Sequence, residues 1–101
     1  MKLSKEAQEK VQELQLLEQN LQNFLSQKQT FQGQLMETES ALEELEKSTT
    51  AYQIIGNIMV ASNKSELTKK LAEKKETLEL RIKTIEKQEE KIKRRRLAQC
   101  R

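Results

Sequence analysis

The stretch from residue 51 to residue 61 constrains the fold most, because it is the only part of the chain whose pattern is not helical. Two apolar, β-branched runs flank Gly56 and Asn57. β-Branched residues favour strands. Glycine at the first position of a two-residue loop suits a type II′ turn, since it takes a positive φ at little cost. Residues 51–61 therefore predict one β-hairpin.

This hairpin is expected to need a partner outside itself. An isolated two-stranded hairpin is only marginally stable in water, and its edges are open to other strands. The long polar segments on either side cannot cover it and also pack together along their length, so we expect pairing with a hairpin of another chain. The residues predicted to make this oligomeric contact are Tyr52, Ile54, Ile55, Gly56, Asn57, Ile58, Met59 and Val60.

Composition indicates a mainly α fold in one small domain, residues 1–101. Of the 101 residues, 35% are hydrophobic and 35% charged, with two Gly and no Pro, which is typical of long helices or a coiled coil. Disorder is the competing interpretation of such polarity, but the regular placement of Leu, Ile and Phe argues against it. The chain has no long apolar run, and its lone Cys100 cannot form an internal disulfide. We therefore predict no membrane contact and a cytoplasmic location.

The residue inventory excludes much chemistry. The chain has no His, no Asp and no Trp, and its 16 acidic residues are all Glu. A nucleophile with a His base and a His/Cys metal site are both excluded, and no glycine-rich phosphate loop is present. We predict no catalytic residue, no metal and no cofactor, and hence a protein that is not an enzyme.

A heptad pattern predicts the first helix over residues 4–48, with Ser4 as its N-cap. Nine of the twelve residues in its two columns are apolar. The columns are Ala7, Leu14, Leu21, Lys28, Leu35, Leu42 and Lys10, Leu17, Phe24, Phe31, Thr38, Leu45.

The second helix is predicted over residues 64–99, after a capping box formed by Asn63 and Glu66. Its first column is apolar and its second is largely polar. The columns are Leu71, Leu78, Ile85, Ile92 and Leu67, Lys74, Arg81, Gln88, Arg95.

A short connection forces the two helices to run antiparallel, as a coiled-coil hairpin with the β-hairpin at its bend. With Gly56 and Asn57 as the pivot, Lys28 faces Ile85, Glu18 faces Arg95, and residues 1–11 extend past the second helix. The predicted coiled-coil seam comprises Leu21, Leu35, Leu42, Leu71, Leu78, Ile85 and Ile92.

The hairpin and several helical segments together resemble the beta-type subunit of the prefoldin family. The resemblance covers nearly the whole chain and includes one β-hairpin rather than two. Its segments are Gln-Lys-Gln at 27–29, Ala-Leu-Glu-Glu-Leu at 41–45, Ala-Tyr at 51–52, Gly-Asn-Ile-Met-Val at 56–60, Glu-Thr-Leu at 76–78 and Ile-Glu-Lys-Gln-Glu-Glu at 85–90.

The resemblance implies an ATP-independent chaperone, or holdase. Prefoldin is a hexamer of two alpha-type and four beta-type subunits, whose hairpins join into an intersubunit β-barrel. Coiled-coil tips hold unfolded proteins and pass them to a group II chaperonin. The residues that this implies for client binding are Leu3, Ala7, Val11, Leu14 and Leu97.

Two other functions are open on the sequence. One is a structural coiled-coil scaffold without clients. The other is a nucleic-acid binder that uses the basic run Lys91–Arg96. Basic residues at a helix C-terminus also complement the helix dipole, and no aromatic residue nearby could stack on bases. Nucleic acid is therefore not the expected partner.

Overall fold

The computed structural model describes residues 4–99. Its elements, in chain order, are α1 (Lys5–Lys47), β1 (Ala51–Ile55), β2 (Ile58–Ser62) and α2 (Lys64–Gln99). The predicted mainly α fold with a single hairpin is confirmed. The chain divides into two compact units. We call residues 4–30 with 82–99 the terminal unit, and residues 31–81 the hairpin unit.

Both helices begin at a side-chain cap. The Ser4 hydroxyl accepts a hydrogen bond from the backbone N–H of Ala7 at 3.1 Å, so Ser4 precedes α1 as its N-cap. Asn63 Oδ1 accepts from the N–H groups of Ser65 and Glu66 at 2.9 and 3.3 Å. Each cap satisfies donors that the first helical turn leaves without an intrahelical partner.

In the terminal unit, the α1 and α2 segments run antiparallel. Lys28 Nζ lies 2.7 Å from Glu89 Oε1, and Gln99 Nε2 donates to Glu13 Oε1 at 3.2 Å. Between these contacts, Arg96 pairs with Glu18. As residue numbers fall along α1 they rise along α2, which is the antiparallel order that the sequence predicts.

One predicted facing pair is wrong in detail, because Glu18 binds Arg96 rather than Arg95. Lys28, which was predicted to face Ile85, binds Glu89, one helical turn after Ile85. The reason is reach, because long flexible side chains select the partner that best balances their charge rather than the residue directly opposite.

The second packing column of α2 also differs from the prediction. Ile82 and Glu89 are buried and Arg96 is half-buried, whereas Arg81 and Arg95 are exposed. The column therefore runs one residue later than predicted. Heptads alternate steps of three and four, and the column could lie three or four residues after Leu78. Its members are Thr68, Lys75, Ile82, Glu89 and Arg96.

In the hairpin unit, the strands form a two-stranded antiparallel sheet whose register pairs Ile55 with Ile58 and Ala51 with Ser62. Gly56 has φ of 61°, and Asn57 does not have a positive φ. This combination is the one that a type II′ turn requires, and a type I′ turn would need both residues at positive φ. On the helical part of this unit, the guanidinium of Arg81 lies 5.6 Å from the ring centroid of Phe31.

Candidate functional site

The hairpin exposes large apolar side chains on both of its faces. The register places Ile55, Ile58 and Val60 on one face of the sheet, and it places Tyr52, Ile54 and Met59 on the other. All six are exposed, and Ile54 and Met59 retain 69% and 66% of their accessible surface. We call these six residues the hairpin surface. A sheet this small gains stability only when other strands or helices cover it.

An open cleft adjoins the hairpin surface within the hairpin unit. Its volume is about 510 Å³. Leu45 and Ala41 of α1, Leu67 and Leu71 of α2, and Ile54 of β1 contribute its apolar walls. Nearby Ala51 is buried, so β1 is fixed to the helices at its first residue and becomes more exposed towards the turn.

A shallow groove lies along α1 in the terminal unit. Its volume is about 360 Å³. The groove is lined by Val11, Leu14, Gln15, Glu18, Gln19 and Gln22. Spacings of three and four place these side chains on neighbouring rows of the helix surface. We call this feature the α1 groove. Val11 and Leu14 are the apolar residues among those that line it.

The residues predicted to bind clients are only partly brought together. Val11, 43% exposed, and the half-buried Leu14 both line the α1 groove. Ala7 lies one helical turn before Val11 and is half-buried. Leu97 of α2 is 61% exposed and does not line the groove. Leu3 lies outside the described residues.

The end of α2 lies beside the α1 groove. Gln99, the last described residue of α2, contacts Glu13, so residues 5–12 continue α1 beyond this level. The overhang of residues 1–11 and client contact by these residues stay predictions.

Sequence reasoning missed the polar part of the groove. Gln15, Gln19 and Gln22 were assigned no role, and Glu18 was predicted only to face Arg95, although all four share helical spacing with Val11. The signal that could have found them is the recurrence of glutamine, whose long aliphatic stem covers apolar surface while its amide stays in water.

The predicted seam residues are all buried or half-buried, and Leu78 and Ile85 are the most enclosed of them at 3% and 5%. Two polar groups join them. Buried Thr38 donates its hydroxyl hydrogen to the carbonyl oxygen of Gln34 at 2.8 Å, and Glu89 binds Lys28. Both buried polar groups therefore have a partner, as is usual in a packed interior.

The part of the chain that the structure covers, residues 4–99, holds no cluster of three or more metal-ligating His, Cys, Asp or Glu side chains. In the same residues, neither helix has an apolar stretch long enough to cross a membrane.

Comparison with known proteins gives a consistent result. A family model described as prefoldin subunit matches residues 8–99. The prefoldin subunit beta of Archaeoglobus fulgidus is 45% identical over 96 residues, which is 92% of this chain and 83% of the relative. That of Methanospirillum hungatei is 38% identical, over 89% of this chain and 78% of the relative. The crystal structure of the prefoldin beta subunit from Thermococcus strain KS-1 superposes with a TM-score of 0.89 at 30% identity, covering 98% of this chain and 90% of that one.

Proposed function

Since the chain belongs to the prefoldin family, whose members are chaperones rather than enzymes, we propose that it is a beta-type subunit of an ATP-independent holdase. In this proposal it assembles with alpha-type subunits, two alpha to four beta, through an intersubunit β-barrel. The free ends of its helices capture unfolded proteins in the cytoplasm and deliver them to a group II chaperonin.

The observation that carries the proposal is the hairpin surface. Six large apolar side chains are exposed on the two faces of one small sheet. Contiguous exposed apolar surface of this kind marks an interaction site. Strand edges that remain open offer backbone donors and acceptors to further strands. Pairing with hairpins of other subunits would satisfy both requirements at once.

Assembly would give the α1 groove its function. One groove of about 360 Å³ with few apolar side chains offers only weak contact to a client. When several subunits are joined, a client held by one groove meets the next at a high effective concentration, so the overall affinity exceeds that of each groove. This mechanism needs no nucleotide and no change in covalent bonds.

The experiment that tests client capture is deletion of residues 1–11, measured by suppression of the aggregation of a denatured test protein. We expect the deletion to abolish suppression while light scattering gives an unchanged number of subunits. Suppression that survives the deletion would refute the assignment of the site. A scaffold without clients would fail to suppress aggregation at any ratio, even with its N-terminus intact.

A point variant gives a matched control. Val11 and Leu25 are 43% and 46% exposed and are separated by two heptads, so they occupy the same helical face. Only Val11 lines the α1 groove. Val11→Asn should weaken suppression and Leu25→Asn should not. Equal losses from the two variants would show that general helix damage, rather than the groove, is responsible.

A further inference from the structure

The last described turns of α2 carry an unbalanced positive charge. From residue 91 to residue 99 the chain has five basic residues and no acidic one. Lys91, Lys93, Arg94 and Arg95 are exposed. We call these four residues the basic end of α2. Their successive positions point in different directions around the helix, so the positive charge surrounds α2 instead of forming one line.

Few acidic groups compensate this charge. Arg94 lies 3.6 Å from Glu90, and both side chains are well exposed, so this pair is weak. Within residues 4–99, Lys91, Lys93 and Arg95 have no ion pair or hydrogen bond from their side chains. Three full positive charges are therefore available to an incoming ligand.

Arg96, which directly follows the basic end of α2, contacts the α1 groove. Glu18 lines the groove, and its carboxylate binds Arg96, so the one acidic group of the groove is already neutralised. Lys93 lies one helical turn before Arg96, and residues three apart are neighbours on a helix surface. Lys93 therefore lies on the part of α2 next to the groove, and exposed charges interact over about 10 Å at ~0.1 M salt.

We infer that the basic end of α2 makes client capture selective: an apolar segment flanked by acidic residues binds the α1 groove more tightly than the same segment with neutral or basic flanks. The inference rests on the proposed function, since it concerns the chemistry of the clients. The groove contributes apolar contact and Lys91, Lys93 and Arg95 contribute attraction for carboxylates, so the favoured client is amphipathic and acidic.

A peptide fits this surface better than a nucleic acid. Single-stranded nucleic acids are held by aromatic side chains that stack on bases, beside a basic groove. Residues 82–99 contain no aromatic residue. The surface next to the basic end is instead a groove lined by Val11 and Leu14, and apolar side chains make no favourable contact with a phosphate backbone.

The test uses three peptides that share one apolar core and differ only in flanking residues, which are Glu, Gln or Lys. Their binding to the full chain, in the oligomeric form it adopts in solution, is measured by fluorescence anisotropy. We expect the Glu-flanked peptide to bind roughly fivefold more tightly than the Gln-flanked one, and the Lys-flanked one to bind least, because exposed ion pairs each contribute modestly. The preference should vanish near ~1 M salt.

Matched variants locate the effect. Lys91→Gln/Lys93→Gln/Arg95→Gln should remove the preference and leave binding of the Gln-flanked peptide unchanged. Lys69→Gln/Lys70→Gln/Lys74→Gln removes the same charge from exposed positions of α2 in the hairpin unit and should keep the preference. A preference lost equally in both variants would assign it to net charge alone and overturn the inference.

The remaining outcomes are also decisive. Equal binding of the Glu-flanked and Gln-flanked peptides by the unaltered protein overturns the selectivity and leaves the holdase standing. Binding of none of the three peptides overturns the holdase as well. An oligothymidylate that binds more tightly than the Glu-flanked peptide, without displacing the Gln-flanked one, would assign the basic end to nucleic acid.

Discussion

Lys28 of α1 and Glu89 of α2 form an ion pair inside the packing seam, with 2.7 Å between Nζ and Oε1. The side chains are 21% and 9% exposed, so water screens the pair only in part. An apolar pair of similar size would pack at least as well in such a seam. The pair instead distinguishes this register from others, because a slip along the helices would leave both charges in an apolar environment.

Replacing one residue of this pair should therefore lower the free energy of unfolding more than replacing both. We expect Glu89→Ala to lower the free energy of unfolding by about 2–3 kcal/mol, since Lys28 is left without its counter-charge. The double variant Lys28→Leu/Glu89→Leu should recover most of that loss. Thermal unfolding monitored by circular dichroism, at one fixed protein concentration, measures both effects.

Glu86 offers the control for this pair. It lies one turn before Glu89 and is exposed, so Glu86→Ala should change stability by less than about 0.5 kcal/mol. A Glu86 variant as damaging as the Glu89 variant would indicate loss of helix charge in general, and the seam pair would have no special role.

A second prediction separates the two candidate columns of α2. Ile82 is 8% exposed and belongs to the observed column, whereas Arg81 is exposed and lies over Phe31. Ile82→Ala should destabilise by about 2–4 kcal/mol through the lost burial and the cavity left behind. Arg81→Ala should cost about 1 kcal/mol or less. Denaturant unfolding of the two variants measures the difference, and the reverse order would restore the column first predicted.

The two glycines should respond in opposite directions to alanine. Gly33 lies inside α1 with open space around the position of a Cβ, so Gly33→Ala should raise stability by about 1 kcal/mol through helix propensity. Gly56 also has open space, but its φ of 61° is costly for any residue with a Cβ. Gly56→Ala should lower stability by about 1–2 kcal/mol. Melting temperatures of the two variants at equal concentration test both signs together.

The exposed hairpin surface leads to a prediction about the mass of the protein's assembly in solution. Ile54→Asp places a charge where the proposed intersubunit barrel needs apolar contact, so we expect subunits that dissociate while their helices remain partly formed. Met36→Asp is the control, because Met36 is 70% exposed on α1 and lies outside the hairpin. Size-exclusion chromatography with light scattering reads both. An unchanged mass for the Ile54 variant would contradict assembly through the hairpin.

Local chemistry made most of this fold predictable. Gly56 and Asn57 fixed the turn, and Ser4 and Asn63 marked the helix starts, because each acts on its own backbone neighbours. Prediction failed where two spacings were equally compatible with the pattern. The columns through Arg81 and through Ile82 each offered one apolar residue, Leu67 or Ile82, and only the packed partner helix decides between them.

The site was less predictable than the fold for a related reason. Val11 and Leu14 could be identified as apolar residues near an unpaired end, but the contact between Glu18 and Arg96 joins residues 78 positions apart. The predicted register places Glu18 opposite Arg95, but it does not determine which of several neighbouring charges a long side chain will reach. The residues of α2 that lie beside the groove could therefore be identified only from the structure of both helices.

Both faces of the β1–β2 hairpin are exposed to solvent, and this affects how the protein behaves during its synthesis. A newly synthesised chain that has not yet met other subunits exposes six large apolar side chains and two open strand edges to water. The longer such a chain stays unpaired, the more it aggregates through these surfaces. If the hairpin surface pairs with other subunits as proposed, a copy made in excess of those subunits keeps its apolar surface exposed and is prone to aggregate.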